Sequence, residues 1–433
     1  SRERSIRYWN DCHEEMVTDR RRDWLRIHWS WVVLGTCFVT LFINYSVRIG
    51  AYPILLPEMI KDLHLTKAEA GLIKSAFAIT YLVFAPIMGW LTDRVGGRKV
   101  ISFFCLFLGG GAFLMGKAES LLACVVFFGI VGLGAAAMWV PSATLIQKWF
   151  GTNKRGVALG ILNASAGAGF GLMGLLLPLI VIEYNWRFGW YILGIAGLAL
   201  FLLDGLLLRD RPEDMGLSPW GGKLGEARGK DYPKKAGYLQ ILKQHQFWIV
   251  GISYLLIAYA SYALIDFIVT YGKMELNIPY GVAALFITVA AFTGIPGGIF
   301  IMLLSGYIGT KKSLSLTYTF VALSILFIIF SGNNVLLLIV GVAWFGVLYG
   351  GIFPLVAACA RDHFPKEITG TVLGLLTIFY GLGAMASPVV TGHLADVTGT
   401  FRWSFGVGAC LSFFSAFLIG FLKKPKEFEE GED

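Results

Sequence analysis

Gly89-Trp90-Leu91-Thr92-Asp93-Arg94-Val95-Gly96-Gly97-Arg98-Lys99 is a short charged turn between two long apolar runs. Its glycines permit a tight reversal with close helix approach. Its acid and three bases belong in water, so the turn marks a membrane surface and the runs beside it read as membrane spans. Crossing roughly 30 Å of hydrocarbon takes about 20 mostly apolar residues per helix. Runs of that size recur through the 433 residues, at 29–58, 68–92, 99–117, 119–148, 155–183 and 187–208, then at 246–275, 280–308, 312–331, 334–360, 369–395 and 401–422. They lack the short alternating pattern of a membrane β-barrel, so each must satisfy its own backbone as a helix. The expected fold is an all-α integral membrane protein of twelve transmembrane helices.

Composition agrees, with 56% hydrophobic and 15% charged residues and a mean hydropathy of +0.68. Residues 1–28 are polar and carry Arg20, Arg21 and Arg22 instead of the apolar core of a signal peptide. The amino terminus is therefore expected in the cytoplasm. That placement puts 28 of the 36 lysines and arginines on cytoplasmic segments and 6 on the other side, leaving Arg48 and Lys74 inside spans. Topology thus accounts for the formal charge of +8, and no nucleic-acid partner is expected. The expected location is the plasma membrane, the inner membrane in a bacterium, with both termini cytoplasmic and the chain acting as a monomer.

The longest polar stretch between spans, 209–245, reads as a cytoplasmic linker between six-helix bundles at 29–208 and 246–422, followed by a tail at 423–433. Internal repetition supports the division. Phe150, Gly156, Leu159 and Gly160 recur as Phe364, Gly370, Leu373 and Gly374, all at one offset of 214 residues. Trp186-Arg187-Phe188 before the sixth span is echoed by Phe401-Arg402-Trp403 before the twelfth. Parallel repeats of six helices imply a pseudo-two-fold axis along the membrane normal, with a site near the midplane between the halves.

The Gly89 to Lys99 turn resembles the signature loop of the major facilitator superfamily: Gly, two residues, Asp, Arg, one residue, Gly, one residue, Arg and Lys. The resemblance implies a conformational latch made by Gly89, Asp93, Arg94 and Arg98, with Asp93 holding a cation or a helix end; a purely topological role for the charges is the alternative. The second half keeps Gly306, Gly309, Lys311 and Lys312 there without the acid. Arg209-Asp210-Arg211-Pro212-Glu213-Asp214-Met215-Gly216-Leu217 and Trp186-Arg187 are similar to the monocarboxylate and oxalate/formate branch, which implies small organic anions. The chain departs from that branch in having Thr288 and Thr293 in the eighth span and no cation before His393 in the eleventh, where Thr377, Tyr380 and Ser387 stand instead. Arg48 in the first span resembles the anion:cation symporters.

Ionisable groups at membrane depth are costly and mark function by default. At about 1.5 Å per residue from the outer helix ends, Arg48 lies about 15 Å deep, Asp266 about 14 Å and Lys74 about 10 Å. All three can meet in one cavity. Asn44 shares a face with Arg48, and Tyr259, Tyr262, Asp266 and Thr270 form a stripe on span seven. Arg48 is the expected anion anchor, since a guanidinium holds a carboxylate or sulfonate bidentately. Lys74, Asn44, Tyr259, Tyr262 and Tyr380 are the expected additional substrate contacts. A permanent Arg48–Asp266 ion pair is the alternative, and Lys74 also has a reading as a residue snorkelling to the outer surface. Asp266 is the expected proton-coupling group, competing with substrate for Arg48; an anion exchanger would need no such group.

Gly169-Phe170-Gly171-Leu172-Met173-Gly174 fits the dinucleotide pattern but lies in an apolar helix, where packing is the better account. Six scattered histidines and six dispersed cysteines offer no metal spacing, and neither a cofactor nor catalytic residues are expected. Pro141, Pro178, Pro296, Pro354 and Pro388 read as kinks, residues 14–28 as a membrane-surface helix, and Glu427–Asp433 as a solvated tail. The function expected is secondary transport of a small organic anion, with anion exchange, export of amphipathic anions, or a non-transporting receptor as alternatives.

Overall fold

The computed structural model describes residues 28–221, 241–364 and 369–422. Among them, twelve helices are long and apolar enough to cross a membrane. They are α1 (Trp29–Asp62), α2 (Lys67–Val95), α3 (Gly97–Gly116), α4 (Leu121–Trp149), α5 (Thr152–Glu183), α6 (Trp186–Leu207), α7 (His245–Glu275), α8 (Tyr280–Ile308), α9 (Thr310–Phe330), α10 (Val335–His363), α11 (Thr369–Thr398) and α12 (Phe401–Gly420). The all-α reading is borne out, and α1, α2, α5 and α11 run three or four residues longer than expected. At α2, Thr66 and Glu69 form a reciprocal capping box that starts the helix at the residue after Thr66. The surface helix expected over 14–28 and the acidic tail lie outside the described residues.

Packing repeats with the sequence. In the first half α1 packs on α5, α2 on α4 and α3 on α6; in the second, α7 packs on α11, α8 on α10 and α9 on α12. The halves meet through α2 with α11 and α5 with α8, which are equivalent pairs under the same two-fold relation, and through the end of α1 with α7. The echoed Trp-Arg and Phe-Arg segments have matching jobs. Asp62, ending α1, accepts from Trp186 Nε1 (3.2 Å) and Arg187 Nη2 (3.0 Å) at the start of α6. Glu275, ending α7, accepts from the Phe401 backbone N–H (2.9 Å) and from Thr400 Oγ1 (2.7 Å) at the start of α12.

Two faces result. The linker face carries the starts of α1 and α7 and the α2–α3, α4–α5, α8–α9 and α10–α11 turns; the far face carries the remaining turns. Hydrogen bonds and ion pairs between the halves, among the described residues, run from the far face to mid-depth. Asp396 at the end of α11 accepts from the Lys67 and Ala68 backbone N–H groups (3.0 and 2.8 Å), capping the exposed donors of α2. Lys67 Nζ reaches Glu275 (3.0 Å), Lys273 pairs with Glu58, and Tyr280 donates to the Ile54 carbonyl (2.9 Å). Deeper, Ser75 donates to the Met385 carbonyl (2.6 Å) and Thr288 to that of Gly171 (2.7 Å).

Glycine makes this closure possible at the α2–α11 crossing. A Cβ on Gly71 would lie 2.1 Å from the Pro388 carbonyl oxygen, and one on Gly392 would lie 2.1 Å from that of Lys67. Backbone cannot yield as a side chain can, so Gly71→Leu is expected to prise the far face open. Faster thiol labelling, from that side, of a cysteine placed at Ser75 in a cysteine-free background would register it; unchanged labelling would show that the crossing tolerates bulk.

The glycines of the dinucleotide-like stretch serve packing too: Gly169 abuts the Phe42 carbonyl, and Gly174 abuts Thr288 of the other half. α4 is interrupted at Ala137–Met138, ahead of Pro141, while Pro178, Pro296, Pro354 and Pro388 lie within continuous helices. The start of the linker folds back on the first half. Trp220 donates its backbone N–H to the Trp149 carbonyl (2.9 Å), and its ring lies 5.1 Å from His28 and 6.4 Å from Trp31. Residues 222–240 of the linker lie outside the described residues.

Candidate substrate site at the centre of the helices

Local backbone chemistry places Arg48. α1 departs from α-helical geometry at Ser46–Ala51, which form a π-helical turn. Ser46 there donates to the Gly169 carbonyl of α5 (3.0 Å), and Gly50 sits where a Cβ would meet Met173 and the Phe170 backbone. Such π turns widen a helix and commonly present a side chain for function. The Arg48 guanidinium lies 4.7 Å from the Tyr81 ring centre, 5.1 Å from Tyr45 and 6.0 Å from Phe77. It interacts electrostatically with the hydroxyls of Tyr81, Tyr45 and Tyr262, and among the described residues its buried Nε has no hydrogen-bond partner.

Asp266 does not pair with Arg48. Its partner is Lys74, whose Nζ lies 3.2 Å from Oδ1 and donates to the Arg48 backbone carbonyl (2.7 Å). Lys74 is 3% exposed and Asp266 0%, so the snorkelling expectation is also corrected. The reason lies in neighbours that spacing along one helix cannot show. The rings of Tyr52, Phe77 and Phe128 stand 5.2, 5.7 and 5.9 Å from Lys74 Nζ and hold it inward. The pair joins α2 of one half to α7 of the other, and among the described residues it leaves the guanidinium of Arg48 without a carboxylate.

Tyrosines complete the surroundings. Tyr262 and Tyr380 have ring centres 5.9 Å apart, with Tyr254 4.7 Å from Tyr380. Tyr349 of α10 interacts with Tyr262, Tyr380 and Arg48. Tyr259 sits apart from this group: it interacts with Thr391 of α11, and its carbonyl accepts from Ser387 (2.7 Å). Asn44 is fully buried two residues before the π segment, with neither amide atom hydrogen-bonded among the described residues. Sequence reasoning passed over Tyr45, Tyr81 and Tyr349. A signal existed for Tyr81, since Lys74, Phe77 and Tyr81 follow helical i, i+3, i+7 spacing; Tyr349 stands on a helix with no other charged or ionisable group near it to draw notice.

The Gly89 to Lys99 turn is held differently from the expectation. Asp93 and Arg94 are exposed, and Arg94 packs 4.4 Å from the Trp90 ring. Gly89 only brushes Val140. The acid at the helix end is Asp210 of the linker, which accepts from the Arg98 backbone N–H at the start of α3 (3.0 Å). Gly96 adopts φ of 96° beside that carboxylate, where a Cβ would lie 2.6 Å from Asp210 Oδ2. Arg98 reaches the Gly205 carbonyl through Nε (3.0 Å) and Nη2 (2.5 Å). Lys311 repeats this in the second half, donating to the Gly420 (2.8 Å) and Leu422 (2.5 Å) carbonyls. Asp210→Ala removes a cap and is expected to cost about 1 to 2 kcal/mol. A thermal midpoint lower than that of the exposed Asp214→Ala control would register the loss, and equal midpoints would contradict it.

The sequence model for the Major Facilitator Superfamily matches residues 37–377 and again 257–433. The chain belongs to the major facilitator superfamily. Two matches along one major facilitator chain agree with its repeated packing. Among its relatives, the probable galactarate/D-glucarate transporter GarP of Escherichia coli K12 is 24% identical, the match covering 92% of this chain and 96% of that protein. The probable sulfoacetate transporter SauU of Cupriavidus necator is 26% identical, over 90% and 94%. The membrane sensor protein UhpC of Salmonella typhimurium is 23% identical, over 93% and 94%. Among solved structures, a bacterial homologue of the human lysosomal transporter Spinster, in an inward-facing and occupied conformation, shares the fold with a TM-score of 0.73 at 16% identity, over 92% of this chain and 97% of that one.

Proposed function

We propose that this major facilitator protein is a secondary transporter that moves a small organic anion across the cytoplasmic membrane by alternating access, as a monomer with both termini in the cytoplasm. The observation that carries the reading is Arg48: a buried guanidinium between tyrosines, with no partner for its Nε and no carboxylate beside it among the described residues. An unpaired buried charge is costly unless a ligand completes it. Relatives named for galactarate, glucarate and sulfoacetate support an anionic cargo.

Coupling is assigned to Asp266, with Lys74 replacing Arg48 as its partner. Lys74 and Asp266 sit on opposite halves and touch while the far face is closed. When the halves part on that side, Asp266 loses its cation and takes a proton from outside. When they close again Lys74 returns and displaces the proton, which leaves with the anion on the linker side.

Reconstitution into liposomes, with labelled lactate-like, dicarboxylate and sulfonate anions and a neutral sugar, tests the reading. Anion flux driven by an inward proton gradient is expected; movement of the neutral solute alone would refute it. A second reading, a sensor that binds its ligand without moving it, draws on the likeness to UhpC. Binding without flux in the same liposomes would select it.

A further inference from the structure

We infer that the cargo carries one anionic group on a hydroxyl-bearing body, and that the Lys74–Asp266 bridge sets this limit by removing the second cation from the site. The inference rests on Arg48 as the anion anchor. An anion carried across must be held while the far face is closed, and in that state Lys74 is spent. It is 3% exposed, bridged to Asp266 at 3.2 Å and to the Arg48 carbonyl at 2.7 Å, and walled by aromatic rings.

Two cations and one carboxylate leave one net positive charge, and it resides on Arg48. Around the guanidinium, α7 and α10 contribute Tyr262 and Tyr349, with the Tyr380 ring of α11 5.9 Å from that of Tyr262, and among the described residues these hydroxyls bring no further cation. A second carboxylate or a sulfonate placed there would be desolvated without a counter-charge and would face Asp266, a cost that an uncharged hydroxyl avoids. Tyrosine hydroxyls both donate and accept, which suits the hydroxyls of a polyol chain.

Three six-carbon probes separate the terms. Gluconate has one carboxylate and hydroxyls, glucarate adds a second carboxylate at the same length, and hexanoate keeps the carboxylate without hydroxyls. Binding to the purified full chain, read from ligand-induced thermal stabilisation, is expected to be about tenfold or more tighter for gluconate than for either. Asp266→Asn frees Lys74 and is expected to shift the gluconate-to-glucarate ratio about tenfold toward glucarate. Glucarate or hexanoate binding the native chain as well as gluconate would overturn the inference while leaving the anion anchor standing. An unchanged ratio in Asp266→Asn would overturn the role given to the bridge. If none of the three binds, or only neutral glucitol does, the inference falls together with the anion reading.

Discussion

Arg48→Ala is expected to reduce anion binding and uptake about thirtyfold or more while leaving the protein folded. Truncating one side of a buried, hydrogen-bonded charge contact costs about 2 to 5 kcal/mol, and every 1.4 kcal/mol or so is tenfold in affinity. The protein itself should tolerate the change because Arg48 neutralises no carboxylate among the described residues: Asp266 belongs to Lys74. Arg48→Lys should rescue little, because an ammonium cannot make the bidentate fork or stack between Tyr45 and Tyr81 as a guanidinium does. Equilibrium binding and proteoliposome uptake of one labelled anion, with thermal melting alongside, separate the cases. A variant that melts like the native chain and binds the anion unchanged would remove Arg48 from the site; one that melts far lower would point to a structural ion partner.

Lys74 and Asp266 should behave in the opposite way, with stability as the first casualty. Removing one member of a buried pair strands the other charge and costs about 3 to 5 kcal/mol. Lys74→Ala is therefore expected to lower the melting temperature markedly, since among the described residues both Asp266 oxygens lack any other hydrogen-bond partner. Replacing the two together with leucine strands nothing and should recover most of the loss. Additive losses in the double variant would mean that the residues are not coupled. Asp266→Asn, the mildest change, isolates transport: proton-driven accumulation should vanish while counterflow exchange persists. Accumulation at the native rate in that variant would exclude Asp266 as the proton site.

Much of the site was legible because ionisable residues in apolar helices are rare and stand out. Arg48, Lys74 and Asp266 could be singled out, and the rise per residue put them at similar depth. Their pairing could not be read, because depth says nothing about rotation. Whether Asp266 meets Arg48 or Lys74 depends on the π turn at Ser46–Ala51 and on the aromatic wall of Tyr52, Phe77 and Phe128. Tyr259 and Tyr262 shared one stripe in the sequence but have different neighbours, Thr391 for one and Arg48 with Tyr380 for the other. The stripe is wide enough to touch two neighbouring helices.

The charged turn from Gly89 to Lys99 was enough, with the run lengths around it, to determine a membrane protein of twelve helices. Hydrocarbon permits so few backbone solutions that length and polarity decide the spans. The repeat at one offset likewise foretold equivalent packing in the halves. What held the turn, however, was decided by tertiary structure: Asp210, more than a hundred residues away, caps α3 where Asp93 was the local expectation. Helix ends take the nearest acid in space, and charge pairs form where burial leaves one partner within reach. Neither distance is encoded in local sequence, whereas the cost of leaving the membrane unspanned is encoded in every residue of it.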